Sequence, residues 1–179
     1  ILAIVYLIFA LTLVPDILAH PGIYATWGDV FYGLALVAGA VVAYGLTALP
    51  VSPAKTAGNA AVMLFGLCNI SFAIEQVEFL ARTISLVPKW VPPSGEFWSI
   101  LTAVAFGLAG VSLLIGYKSR LAAQLLTLML VIFGVAIWIP MMIADPKTLS
   151  NWSEGIETFA IAGAAWVIAD YIARRAELH

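Results

Sequence analysis

Two carboxylates, an amide and a guanidinium crowd into "FAIEQVEFLAR" at residues 72–82: Glu75, Gln76, Glu78 and Arg82. Carboxylates exchange protons, hold cations or accept hydrogen bonds from a polar ligand, while the amide both donates and accepts. On one continuous helix Glu75, Glu78 and Arg82 share a face at i, i+3 and i+7, so Arg82 can pair with Glu78 one turn away. The plainer reading of Glu78 and Arg82 is an interfacial ion pair kept wet by snorkelling. Glu75 lies nearly a turn deeper in a run that otherwise reads as membrane-spanning, and an ionisable group there is a functional hypothesis by default. Gln76 points to another face of the same helix.

A second constellation opens the last apolar segment, in "SNWSEGIE". Asn151 is expected to cap that helix with Glu154 at N3, as in a capping box, which gives Glu154 a local structural task. Glu157 lies one turn further in and needs another partner. Trp90 and Trp152, with Trp27 and Trp98, fit the belt of aromatic residues at a membrane interface, a commoner role than stacking on a ligand.

Metal and nucleophile chemistry find less support. Asp16 and His20 are four residues apart, and with Glu75, Glu78 and Glu157 they would form an oxygen-rich set carrying one imidazole. His20 precedes Pro21, where helices usually end, and no HExxH or paired-histidine spacing exists, so no metal is expected. The second histidine, His179, sits at the far end of the sequence, which argues against a bis-histidine haem. No phosphate-binding glycine loop, serine nucleophile motif or Cys/His pair occurs. The single cysteine, Cys68, excludes an internal disulfide and reads as a small buried residue in an apolar run. Asp170 and Arg174 have the i, i+4 spacing of a surface ion pair.

The elements that must carry these residues are membrane helices. Of 179 residues 63% are hydrophobic and 10% charged, against about 25% charged in an ordinary soluble domain; the mean hydropathy is +1.05. With about 20 apolar residues needed per crossing, the sequence predicts an all-α polytopic bundle of about six helices. They are expected near residues 1–19, 28–49, 57–81, 97–116, 121–144 and 152–173. The first run, with no clear cleavage site after it, is expected to be a helix rather than a signal peptide, bent at Pro15. "LPVSP" makes the turn after the second segment, and "YKSR" the turn after the fourth.

Lys55, Lys118, Arg120, Arg174 and Arg175 fall on one side of such a bundle, against Arg82, Lys89 and Lys147 on the other. The bias puts both termini in the cytoplasm. Asp16, Asp29, Glu75, Glu78, Glu96, Asp145, Glu154 and Glu157 then form an outer acidic layer. Small residues at four-residue spacing, Ala35, Gly39 and Ala43 in the second segment and Ala103 and Gly107 in the fourth, are read as close helix contacts. "GDVFYGL" and "GEFWSIL" resemble one another as a faint hairpin repeat. No basic cluster suggests nucleic acid.

From about residue 60 to 172 the sequence resembles the DoxX-like integral membrane family, through "FAIEQVEF" at a helix end, "VPKWVPPSGEFW" leading into "LTAVAFGLAGVSLLI", then "SRLAAQLLTLMLVIF" and "NWSEGIETFAIAGAAWVIAD". The resemblance implies a four-helix membrane domain at residues 57–175, with residues 1–50 as an added N-terminal hairpin. It also implies association with membrane redox complexes, including terminal-oxidase assemblies and thiosulfate:quinone oxidoreduction, in a bacterial or archaeal cytoplasmic membrane. Related sequences tend to carry a Glu-His pair where this one has Glu75 and Gln76, so a role resting on that histidine does not carry over.

The expected function is an accessory or structural subunit of a quinone-linked electron-transfer complex, not catalytic alone, with neighbouring membrane subunits and the lipid bilayer as partners. Its polar pocket at the outer face would be bounded by Glu75, Gln76, Glu78, Arg82, Trp90, Trp152 and Glu157 and closed by the "VPKW" loop. No covalent cofactor is expected; a quinone head group or a lipid suits the pocket better than thiosulfate, which carboxylates would repel. The alternatives are a small-molecule or lipid carrier using the same pocket, and a pure scaffold.

Overall fold

In lipid every backbone N–H and C=O must be paired within the protein, so long apolar runs form helices. The computed structural model describes residues 1–48 and 52–177, and among these there are helices and no strands. Six stretches are long and apolar enough to cross a membrane. The first comprises α1 (Leu2–Thr12) and α2 (Val14–Ala19), broken at Leu13 with Pro15 in the first turn of α2. The others are α3 (Tyr24–Ala48), α4 (Ser52–Glu78), α6 (Gly95–Ile115), a composite, and α9 (Leu149–Glu177). The composite joins α7 (Ser119–Phe133), a π-helical turn (Gly134–Trp138) and α8 (Ile139–Ala144). A short helix, α5 (Leu80–Leu86), lies between α4 and α6. The expected turn at residues 49–51 and His179 lie outside the described residues.

Helices α3, α4, α6, α7 and α9 share one core built on Phe65, Cys68 and Phe72 of α4, Phe106 of α6, Leu126 and Leu130 of α7, and Ile161 and Ile168 of α9. Helix α3 adds Ala35, Ala38 and Val42 to it. Small residues set the spacing. A Cβ on Gly39 would lie 2.5 Å from the Ala164 Cβ, so α3 and α9 touch almost backbone to backbone. A Cβ on Gly110 would lie 2.7 Å from the Gly66 carbonyl oxygen, which locks α4 against α6. Gly107 has ordinary room, 3.7 Å to the Ala73 Cβ, and Ala43 is exposed.

Helices α4 and α9 run antiparallel. At one end the Tyr171 hydroxyl reaches the Lys55 carbonyl (3.0 Å) and Asn59 Oδ1 (3.1 Å), and Arg175 also donates to Asn59. At the other end Arg82 Nη2 meets Glu154 Oε1 at 2.8 Å. Five of the eight Lys and Arg residues belong to the first end, eight of the ten Asp and Glu residues to the second. The expected ion pair Arg174–Asp170 forms at 3.0 Å.

Two local expectations are corrected. Arg82 pairs with Glu154 and not with Glu78, because the helix breaks at Phe79 (φ −104°, ψ 35°) and the i, i+4 face between Glu78 and Arg82 is interrupted. Asn151 does not cap α9. The helix begins at Leu149, and the buried Asn151 amide instead donates to the carbonyls of Met141 and Asp145, both at 3.4 Å, closing the end of α8.

Candidate functional site

At the acidic end α3, α4 and α9 converge. Glu75 projects from the last turn of α4 toward α3, where Gly28 makes room: a Cβ there would lie 3.1 Å from the carboxyl carbon of Glu75. Tyr32, one turn below Gly28, stacks on Phe72 with ring centroids 4.8 Å apart and lies beside the same carboxyl. Asp29 of α3 and Glu154 and Glu157 of α9 are close enough to Glu75 to interact electrostatically, and Arg82 supplies a cation. Glu75 thus lies within electrostatic reach of three other carboxyl groups, one from α3 and two from α9, while the exposed Arg82 acts on Glu75 and pairs with Glu154.

One atom in this cluster is conspicuous. Glu75 Oε2 is sealed from solvent and has no hydrogen-bond partner among the described residues. An unpaired buried carboxyl oxygen costs on the order of 1–3 kcal/mol or more, so native structures rarely leave one without a reason. The other such atom, Oδ1 of the fully buried Asn69, lies deeper on α4; its amide nitrogen donates to the Phe65 carbonyl at 2.7 Å.

A groove of about 420 Å³ runs along the α3–α4 contact, lined by Phe31, Leu67, Ile70 and Ile74 and bounded above by Pro21, Tyr24 and Trp27. The Tyr24 hydroxyl shares a hydrogen bond with Ser71 Oγ (2.8 Å) and lies within 3.0 Å of the Ser71 carbonyl. Tyr24, Gly28 and Tyr32 are spaced i, i+4, i+8 on one stripe of α3. Tyr24 of that stripe lines the groove, while Gly28 and Tyr32 meet Glu75 on the neighbouring face of α3.

The other residues expected at the site are dispersed. Gln76 turns to α6, where Thr102 donates to its Oε1 at 2.8 Å. Glu78 is exposed, and Trp90, on the loop after α5, is 76% exposed. Trp152 is also exposed, its indole N–H donating to the Pro146 carbonyl at 3.0 Å. Asp16 and His20 are exposed, and among the described residues no three His, Cys, Asp or Glu side chains are arranged to hold a metal ion.

Sequence reasoning missed the α3 stripe. Its signal was the four-residue spacing of Tyr24, Gly28 and Tyr32, in which a glycine sits between two tyrosines on one face. A second pattern also went unread. Trp27 and Trp98 donate to the carbonyls of Pro21 (3.1 Å) and Pro92 (2.9 Å) as Trp152 does to Pro146. Each pair is a proline followed six residues later by tryptophan, and each fixes the entry to a helix of the acidic end. No family model matches the chain, and no curated protein or solved structure matches it.

Proposed function

We propose that this integral membrane protein is a DoxX-like accessory subunit of a quinone-linked electron-transfer complex, with its basic end in the cytoplasm and its carboxyl cluster in the outer leaflet. The observation that carries the reading is the sealed, unpartnered Glu75 Oε2; an apolar groove lies along the same two helices, α3 and α4, lined by Ser71 and Ile74 of the preceding turn of α4. A quinol hydroxyl is a donor suited to that oxygen, and an isoprenoid tail is suited to the groove along Phe31, Leu67 and Ile70. In this reading Glu75 orients the head group and takes up, one after the other, the two protons released as the quinol is oxidised to the quinone. Asp29, Glu154 and Glu157 pass each proton to the aqueous face, and the two electrons go to a redox centre of a neighbouring subunit. The chain's own task is binding, orientation and proton handling, since cofactors carry the electron chemistry.

Purification from native membrane in mild detergent tests this. The expected result is a fixed-ratio complex with a haem- or flavin-bearing partner, together with co-extracted quinone. A lone, colourless chain without quinone contradicts it.

The carrier reading is favoured by one observation: the helix interruptions at Phe79 and at the π-helical turn Gly134–Trp138. Carriers use interrupted helices to line a substrate site. Flux of a small solute into vesicles containing only this chain, abolished by Glu75→Gln, would establish it in place of the accessory role.

A further inference from the structure

At the opposite, basic end α6 and α7 diverge below their connecting turn and leave a second groove, of about 550 Å³. Its walls are almost wholly apolar: Ala105, Leu108 and Ala109 from α6, Leu121, Leu125 and Met129 from α7. The alanines open a concave slot between two helices that otherwise present bulky side chains to lipid. At its mouth stands the turn "GYKSR". Gly116 (φ 75°) ends α6 in the left-handed region, and Lys118 (φ 50°) enters α7 in the same region, a conformation that disfavours a lysine side chain.

Lys118 lines the groove mouth, with its ammonium 5.6 Å from the Tyr117 ring centroid, and Arg120 follows two residues later. Neither has a carboxylate partner among the described residues, whereas Arg174 at the same end is paired with Asp170. The first turn of α7 has no side-chain cap, so its backbone N–H groups add to the positive potential at the same place. An apolar slot with one uncompensated cation at its mouth and a second two residues further along the chain matches one class of occupant in both halves.

We infer that the α6–α7 groove is a binding site for an anionic phospholipid, with one acyl chain between the helices and the phosphodiester at Lys118 and Arg120. Basic sites between membrane helices select acidic headgroups by this complementarity. Lys118 contributes to the groove mouth from this left-handed position. This site is separate from the carboxyl cluster and stands whatever that cluster binds.

Native mass spectrometry of the full chain released from bilayers of equimolar phosphatidylglycerol and phosphatidylcholine tests the inference. The wild type and Lys118→Arg should retain phosphatidylglycerol preferentially. Lys118→Asn, combined with Arg120→Gln, should lower that preference about fivefold per charge, on the order of twenty-five-fold together; asparagine tolerates the left-handed backbone, so the turn is kept. Ala105→Phe, which fills the slot, should reduce retention of both lipids. Equal retention of the two lipids by the wild type, an unchanged preference after neutralisation, or unchanged retention in Ala105→Phe would each overturn the proposal.

Discussion

Gly39→Ala offers the sharpest test of the packing that assembles the carboxyl cluster. The added methyl would sit 2.5 Å from the Ala164 Cβ and 3.0 Å from its Cα, whereas carbon atoms in favourable contact stay about 3.5–4.0 Å apart. Relief requires α3 and α9 to separate by roughly 1 Å, since neither atom belongs to a flexible side chain. Overpacking of this kind costs about 1–3 kcal/mol. The same substitution gains up to about 1 kcal/mol of helix propensity. The net expectation is a loss of about 1–2 kcal/mol. Two glycines act as controls: Gly163 has nothing within 4 Å of its hypothetical Cβ, and Gly107 has only an ordinary contact. Their alanine variants should be neutral or slightly more stable. Reversible unfolding in mixed micelles reads all three. If Gly39→Ala proves as stable as Gly163→Ala, the close α3–α9 approach is wrong, and with it the convergence of Asp29, Glu75 and Glu157.

Other expectations follow from individual contacts. Tyr171→Phe removes the hydroxyl that ties α9 to Lys55 and Asn59 and should cost about 1 kcal/mol in the same unfolding assay. Thr102→Val and Gln76→Leu should each destabilise, yet the double variant should lose less than the sum, with a coupling of about 1 kcal/mol in a double-mutant cycle across the α4–α6 contact. Arg82→Met breaks an ion pair whose side chains are 65% and 35% exposed, so its effect on stability should stay below about 1 kcal/mol, even though the pair bridges α5 and α9.

The sequence made the membrane class and six crossings legible, because uninterrupted apolar length leaves few alternatives to a helix. It also separated the acidic from the basic end, since charges cluster only where chains leave the lipid. Side-chain direction was harder to read. Glu75 could be singled out by its depth, but whether it faced lipid, α6 or α3 depended on which neighbour lay beside α4. That is decided by Gly28, a residue 47 positions earlier with no side chain to signal its role.

Local rules failed where tertiary structure supplied a better partner. Asn151 followed by Glu154 three residues later has the pattern of a capping box, yet α9 starts two residues earlier and Asn151 finds the carbonyls at the end of α8. Arg82 had Glu78 at ideal helical spacing, and a break at Phe79 gave it to Glu154 instead. Gly39 and Gly107 looked alike as members of small-residue stripes. Only Gly39 bears a helix crossing so close that a methyl group does not fit.

The central claim, that the Glu75 cluster binds the head group of a lipid-soluble quinol, is tested most directly by titrating a short-tailed quinol under anaerobic conditions into the purified protein and its Glu75→Gln variant. A hydrogen bond to a charged acceptor contributes about 1.5–3 kcal/mol, so the variant should bind at least tenfold more weakly while unfolding at the same or higher denaturant concentration. Equal affinity of the two proteins, or no saturable binding to the wild type, would contradict the account.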